Sequence, residues 1–98
     1  MNRVQHLLVR LAEEASELSQ IALKTAQYGV HNKEPGQEAT NLQKINAEFN
    51  DIIGVIRMLD QEAGLNISLD EQMISDKIDR VKYFRDISVS GGLVQNGF

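Results

Sequence analysis

The feature that most constrains the fold is an apolar repeat at helical spacing, which occurs in two long segments. In residues 3–28 and again in residues 39–63, apolar side chains recur at i, i+3, i+4 and i+7. Between them, residues 29–38 contain the only proline of the chain and two glycines, which marks a loop. We therefore predict two long helices, with a possible short helical turn at 36–42. The stripe residues are Val4, Leu7, Leu8, Leu11, Ala15, Leu18, Ala22 and Thr25, and then Leu42, Ile45, Phe49, Ile52, Ile56, Leu59 and Ala63.

A third helix is predicted to follow Gly64. Ser68 with Glu71 three residues later has the form of a capping box, which places the N-cap at Ser68. The helix is expected to end near Asp86. Residues 1–86 would then form one all-α domain, and residues 87–98 a tail that is disordered, forms a short hairpin or docks on a neighbouring subunit.

Two carboxylate pairs interrupt the apolar stripes. Glu14 and Glu17 are spaced i, i+3 on the first helix, as are Glu48 and Asp51 on the second. At 100° per residue, Glu14 and Glu48 point into the buried sector and their partners lie at its edge, whereas Glu13 points towards solvent or supports the site indirectly. A carboxylate that faces a core is costly unless a positive charge meets it.

Antiparallel packing of the two helices would bring both pairs together around a divalent cation. Oxygen ligands without His or Cys favour Mg²⁺, or Mn²⁺, over zinc or copper. Mg²⁺ commonly binds together with substrate phosphates, so the predicted chemistry is on a phosphate ester or anhydride. The simpler alternative is that each pair belongs to a solvated polar face.

The third helix carries a cation within its apolar stripe. Lys77 lies between Met73, Ile74 and Val81, and Arg80 lies at the edge of the same face. Two readings stay open. Lys77 forms a salt bridge to one of the four acids, or Lys77, Arg80, Lys82 and Tyr83 meet a polyphosphate.

The composition and length of the chain indicate which partners it can bind and where in the cell it is expected. A net charge of −4 without a basic patch argues against nucleic acid, and there are no cysteines for a thiolate site. The chain has no apolar run of membrane-spanning length and no signal-peptide pattern, so we expect a cytoplasmic protein. At 98 residues, it is expected to bury its remaining apolar faces against copies of itself.

The segments EEASEL at 13–18 and EFNDIIGVIRML at 48–59 resemble the EExxE…ExxD signature of the MazG-type all-α nucleoside triphosphate pyrophosphohydrolases. The resemblance implies that Glu14, Glu17, Glu48 and Asp51 bind Mg²⁺. It implies cleavage of the α–β phosphoanhydride to a monophosphate and pyrophosphate. In our hypothesis for this reaction, Glu14 or Glu17 orients the attacking water as general base. The resemblance also implies a homodimer or homotetramer.

The segment DKIDRVKYF at 76–84 resembles a later element of that family, which implies substrate binding by Lys77, Arg80, Lys82 and Tyr83. It departs from the family in its shorter spacing and in Phe84, which stands where the family has proline.

The sequence hypothesis is thus a Mg²⁺-dependent pyrophosphohydrolase of a (deoxy)nucleoside triphosphate, built as a four-helix-type bundle that oligomerisation completes. Two alternatives remain. One is a phosphoribosyl-ATP pyrophosphohydrolase-like enzyme, and the other is a non-enzymatic helical oligomeric binding module whose acids form ion pairs.

Overall fold

Three α-helices account for the regular structure of the described residues. The computed structural model describes residues 1–95 and 97, and in those residues it contains α1 (Arg3–Tyr28), α2 (Asn41–Ala63) and α3 (Glu71–Ser90) and no strand. The predicted all-α class is therefore confirmed. The chain divides into two compact units, one from Met1 to Ile67 with α1 and α2, and one that begins at Ser68 and contains α3. Within the described residues, no helix is both long enough and apolar enough to cross a membrane.

Reciprocal capping boxes define where α1 and α2 begin. Asn2 Oδ1 accepts a hydrogen bond from Gln5 N at 2.8 Å, and the Gln5 side chain accepts one from Asn2 N at 2.9 Å. Thr40 and Gln43 repeat the arrangement, so α2 begins at Asn41 rather than at the predicted residue 39. Gly64 ends α2 in the left-handed conformation, with φ +66°, which glycine adopts without steric cost.

The two long helices pack as an antiparallel hairpin along a narrow seam. The inward positions alternate in steps of three and four residues, which is the spacing of a coiled-coil interface. Leu7 and Leu59 are the apolar residues of this seam that are buried. The partly or fully buried seam residues are Val4, Leu7, Leu11, Glu14, Leu18, Ile21 and Thr25 on α1, and Asn41, Ile45, Glu48, Ile52, Val55 and Leu59 on α2.

The seam is narrower than the predicted stripes. Leu8, Ala15 and Ala22 on α1, and Leu42 and Phe49 on α2, were predicted to face the core but are exposed. The physical reason is that one helix packed against a single neighbour covers mainly the a and d rows, so many flanking positions stay exposed. Ile53 and Ile56, which flank the seam on α2, are half-buried, as was predicted for Ile56.

Hydrogen bonds close the connection between α1 and α2. Lys33 and Thr40 form an isolated antiparallel bridge, and residues 36–40 are not helical, so the predicted short turn ahead of α2 does not form. Asn41 is buried, and its side-chain amide donates to the Gly29 carbonyl at 3.0 Å. The loop is therefore fixed to the end of α1 and the start of α2.

The second unit consists mainly of α3, in which no residue is buried. Its N-cap is Asp70, whose side chain accepts from Met73 N at 3.0 Å, so the prediction of Ser68 as N-cap was wrong. Asp70 directly precedes the first residue of α3, so its carboxylate also lies at the positive end of the helix dipole. The helix continues to Ser90, past the expected end at Asp86, and Leu93 N then donates back to Ser88 O at 2.9 Å. Asn96 and Phe98, which belong to the predicted tail, lie outside the described residues.

Candidate metal centre

Three of the four predicted acids meet in the middle of the α1–α2 seam. Glu14, Glu17 and Glu48 each offer one carboxylate oxygen, and these oxygens all lie within 4.8 Å of one another. Glu14 and Glu17 come from successive turns of α1, and Glu48 faces them from α2. This acid cluster has the oxygen-only composition that suits a hard divalent cation.

Glu14 is the deepest member of the cluster. The residue is 5% exposed, as its position in the apolar stripe predicted. Its Oε1 accepts a hydrogen bond from Arg10 Nη2 at 2.6 Å, but its Oε2 is buried without a donor in the part of the chain that is described. Oε2 of Glu48 is buried without a donor in the same way. Because a buried carboxylate oxygen without a partner is costly, a cation at this point would satisfy both atoms.

The proximity of the carboxylates raises the pKa of Glu48 from 4.5 to about 7. The main cause is a proton that Glu48 would share with Glu14, and Glu17 contributes in the same direction. Burial and charge repulsion add to the effect. The cluster therefore holds more negative charge than the surrounding protein neutralises.

Asp51 and Glu13 lie outside the acid cluster. Asp51 is exposed one turn beyond Glu48 and is not among the three residues whose oxygens converge. Glu13 is exposed and pairs with Arg10 at 2.6 Å, in agreement with the prediction that it faces solvent. Arg10 thus binds one acid inside the seam and one outside it.

A groove of about 400 Å³ begins at the acid cluster, and Glu17 and Glu48 line one part of it. Lys24, Glu34 and Lys44 line another part, and sequence reasoning missed all three of them. A signal was present in the spacing: Lys24 follows Glu17 by seven residues, and Lys44 precedes Glu48 by four. At those spacings a side chain lies on nearly the same side of a helix as the acid.

The four predicted substrate-binding residues all belong to α3. Lys77, Arg80, Lys82 and Tyr83 are exposed. Lys77 and Arg80 line a shallow depression with Val81 and Phe84, and the Tyr83 ring meets the Phe84 ring edge-on at a centroid distance of 5.3 Å. Lys77 is therefore not enclosed by apolar side chains within its own unit, although its neighbours along the helix are apolar.

Comparison with known proteins gave no match to a family model, to a curated protein or to a solved structure.

Proposed function

We propose that the chain is a Mg²⁺-dependent nucleoside triphosphate pyrophosphohydrolase that releases a nucleoside monophosphate and pyrophosphate. The observation that carries the proposal is the acid cluster, in which carboxylates from two helices converge and two of their oxygens are buried without donors among the residues that the structure describes. The EExxE…ExxD resemblance adds the reaction type. Mn²⁺ is the alternative ion, because it accepts the same oxygen ligands.

The residues present fit such an ion. Glu14, Glu17 and Glu48 would hold it, and Asp51, one turn from Glu48, is the fourth ligand that the resemblance implies. When bound, Mg²⁺ stabilises charge on phosphate oxygens and lowers the pKa of a water molecule.

Glu14 and Glu17 are the proposed proton acceptors for the attacking water. Of the two, Glu17 is exposed and lines the groove, so it is accessible to water that enters with substrate. Glu14 is buried and already accepts from Arg10, which suits a fixed ligand better than a base. Lys77, Arg80, Lys82 and Tyr83 are proposed to contact substrate on the strength of the resemblance.

Assembly into a homodimer or homotetramer is part of the proposal. A single chain leaves α3 without a buried residue and leaves several large apolar side chains of the hairpin exposed, among them Leu23, Phe49 and Met58. Burial of such surfaces is the main driving force for subunit association. A second copy that packed on the hairpin would supply the remaining helices of a four-helix-type bundle.

The competing proposal is a binding module whose acids form ion pairs. The bond between Arg10 and Glu14 favours it, because this pair neutralises the deepest acid within the chain. It accounts for one oxygen of Glu14 only, however, and within the described part of the chain it leaves Oε2 of Glu14 and Oε2 of Glu48 without donors. The metal proposal accounts for both.

Pyrophosphate release should be measured over a panel of canonical and modified nucleoside triphosphates and phosphoribosyl-ATP, with and without Mg²⁺. We expect Mg²⁺-dependent release and a loss of at least about 100-fold for Glu48→Gln, since the ligand charge is removed without a change of shape. Glu62→Gln is the matched control, because Glu62 is an exposed acid of α2 that belongs neither to the acid cluster nor to the groove. Full activity of Glu48→Gln would contradict the proposal. Turnover confined to phosphoribosyl-ATP would assign the alternative substrate.

A further inference from the structure

The groove beside the acid cluster has two ends of opposite charge. Glu17 and Glu48 line the acidic end. At the other end Lys24 Nζ lies 2.9 Å from Glu34 Oε1, and Lys44 Nζ lies 3.8 Å from Glu34 Oε2. Two ammonium groups therefore share a single carboxylate. This end of the groove carries more positive charge than Glu34 neutralises.

The loop backbone fixes the position of Glu34. The bridge between Lys33 and Thr40 closes the loop on both sides of this residue, and the Glu34 carbonyl accepts from Gln37 N at 3.0 Å. Lys24, and to a lesser degree Lys44, lower the pKa of Glu34, so its side chain is an anion at neutral pH. An anionic group thus already occupies the space between the two lysines.

The contacts that hold Glu34 are weak enough to exchange. The Lys24 side chain is 54% exposed, and ion pairs at such positions contribute little to stability. The contact to Lys44 is long, although the Lys44 side chain is only 21% exposed. A phosphate group offers more acceptor oxygens and more charge than a carboxylate, and charge-assisted bonds to it are strong. Exchange of Glu34 for phosphate would therefore improve the contacts of both lysines.

We propose that Lys24 and Lys44 bind phosphate groups at this end of the groove, and that Glu34 occupies their site until a phosphate displaces it. The identity of the ligand as a nucleotide polyphosphate rests on the proposed function, whereas the capacity of the two lysines to bind phosphate does not. The distal phosphates lie on the lysines, and the phosphate that is attacked lies towards the acid cluster. Glu34 keeps the lysines oriented in the free protein and discriminates against ligands with a single weak negative charge.

Titration calorimetry with inorganic pyrophosphate, with and without Mg²⁺, tests the site without turnover. We expect Lys24→Gln and Lys44→Gln each to weaken binding about 10-fold, and the double variant more strongly, because each loses one charge-assisted contact. Lys33→Gln is the matched control, because Lys33 is an exposed lysine adjacent to Glu34 that does not line the groove. Its affinity should stay within about two-fold of the wild type.

Glu34→Gln separates a phosphate site from a structural clamp. It keeps both lysines and removes the competing anion, so pyrophosphate should bind several-fold more tightly. Weaker binding by Glu34→Gln, wild-type affinity in the double lysine variant, an equal loss in Lys33→Gln, or no binding by the wild-type protein would each overturn the inference.

The two proposals fail separately. Lysine-dependent pyrophosphate binding in a protein that hydrolyses no nucleotide would keep this site and end the proposed function. Hydrolysis with an unchanged KM in the double lysine variant would keep the proposed function and end the proposal of a phosphate site at Lys24 and Lys44.

Discussion

Arg10 donates a hydrogen bond of 2.6 Å to Oε1 of Glu14, one helical turn further along α1, and Oε2 of the same carboxylate is buried without a donor among the described residues. One carboxylate thus has one oxygen committed to the protein and one available to a ligand. The second Arg10 nitrogen donates to Glu13 on the exposed side of α1. Arg10 is therefore a positioning residue for Glu14.

Arg10→Gln should destabilise the metal-free protein. Glu14 would keep its buried carboxylate but lose its charged donor, and a buried polar group left in that state costs about 1–3 kcal/mol. Urea denaturation measures the change in the free energy of unfolding. Glu13→Gln is the control, with an expected change of less than about 0.5 kcal/mol, because the Glu13 pair is exposed to solvent. A stability equal to the wild type in Arg10→Gln would show that the hydrogen bond does not support Glu14.

The raised pKa of Glu48 predicts an unusual dependence of stability on pH. The ordinary pKa of 4.5 applies to the unfolded chain and a value of about 7 to the folded protein. Between these values the folded state binds the additional proton, so its stability should fall as pH rises from about 5 to 7. Glu34 does not mask this trend, because its pKa is lowered and its contribution changes below that window.

Urea denaturation of the metal-free protein at a series of pH values measures this dependence. Glu48→Gln should remove the decline and be the more stable protein at neutral pH. Mg²⁺ should reverse the trend, because a ligand must be deprotonated to bind and the stabilisation by Mg²⁺ then grows from pH 6 to pH 8. A decline of the same size in Glu48→Gln would refute the assignment to this residue.

Asp51 provides a separate test of the ligand set. It is exposed and outside the three converging acids, yet the resemblance assigns it to the metal. Asp51→Asn should lower the affinity for Mg²⁺ about 10-fold, and Glu48→Gln should lower it considerably more, because Glu48 supplies one of the convergent oxygens. Thermal shift in a Mg²⁺ series gives both affinities. If Asp51→Asn bound Mg²⁺ as tightly as the wild type, Asp51 would not be a ligand, and Glu14, Glu17 and Glu48 would be the three protein ligands.

Helical periodicity was sufficient to locate the helices and the inward direction of Glu14. It predicted the extent of α1 correctly, and the structure shows that Asn2 caps the start of this helix and that Gly29 follows its end. The N-cap of α3 was wrong by two residues because Ser68 and Asp70 are both good caps, and only the backbone decides between them.

Other features depend on tertiary packing, which the pattern does not contain. The width of the seam follows from how many neighbours a helix has, so Leu8 and Phe49 could not be assigned by hydrophobicity alone. The lysine end of the groove could not be predicted, because it depends on the loop conformation that places Glu34 beside Lys24 of α1 and Lys44 of α2. Spacing placed Lys24 and Lys44 on the correct sides of their helices but gave no reason to connect them.

The exposed apolar row of α3 predicts how the chain assembles. Ile74, Ile78 and Val81 follow one another at helical spacing and are 38–53% exposed, so we expect this row to be buried between subunits. Ile78→Glu would place a charge in that interface, at a cost of several kcal/mol, and should convert a dimer or tetramer into monomers. Light scattering after size-exclusion chromatography measures the mass of each species. Gln72→Glu adds the same charge on the other side of α3 and should leave the assembly intact. An oligomer that survives Ile78→Glu would place the subunit interface elsewhere, with the exposed hairpin residues as the next surface to substitute.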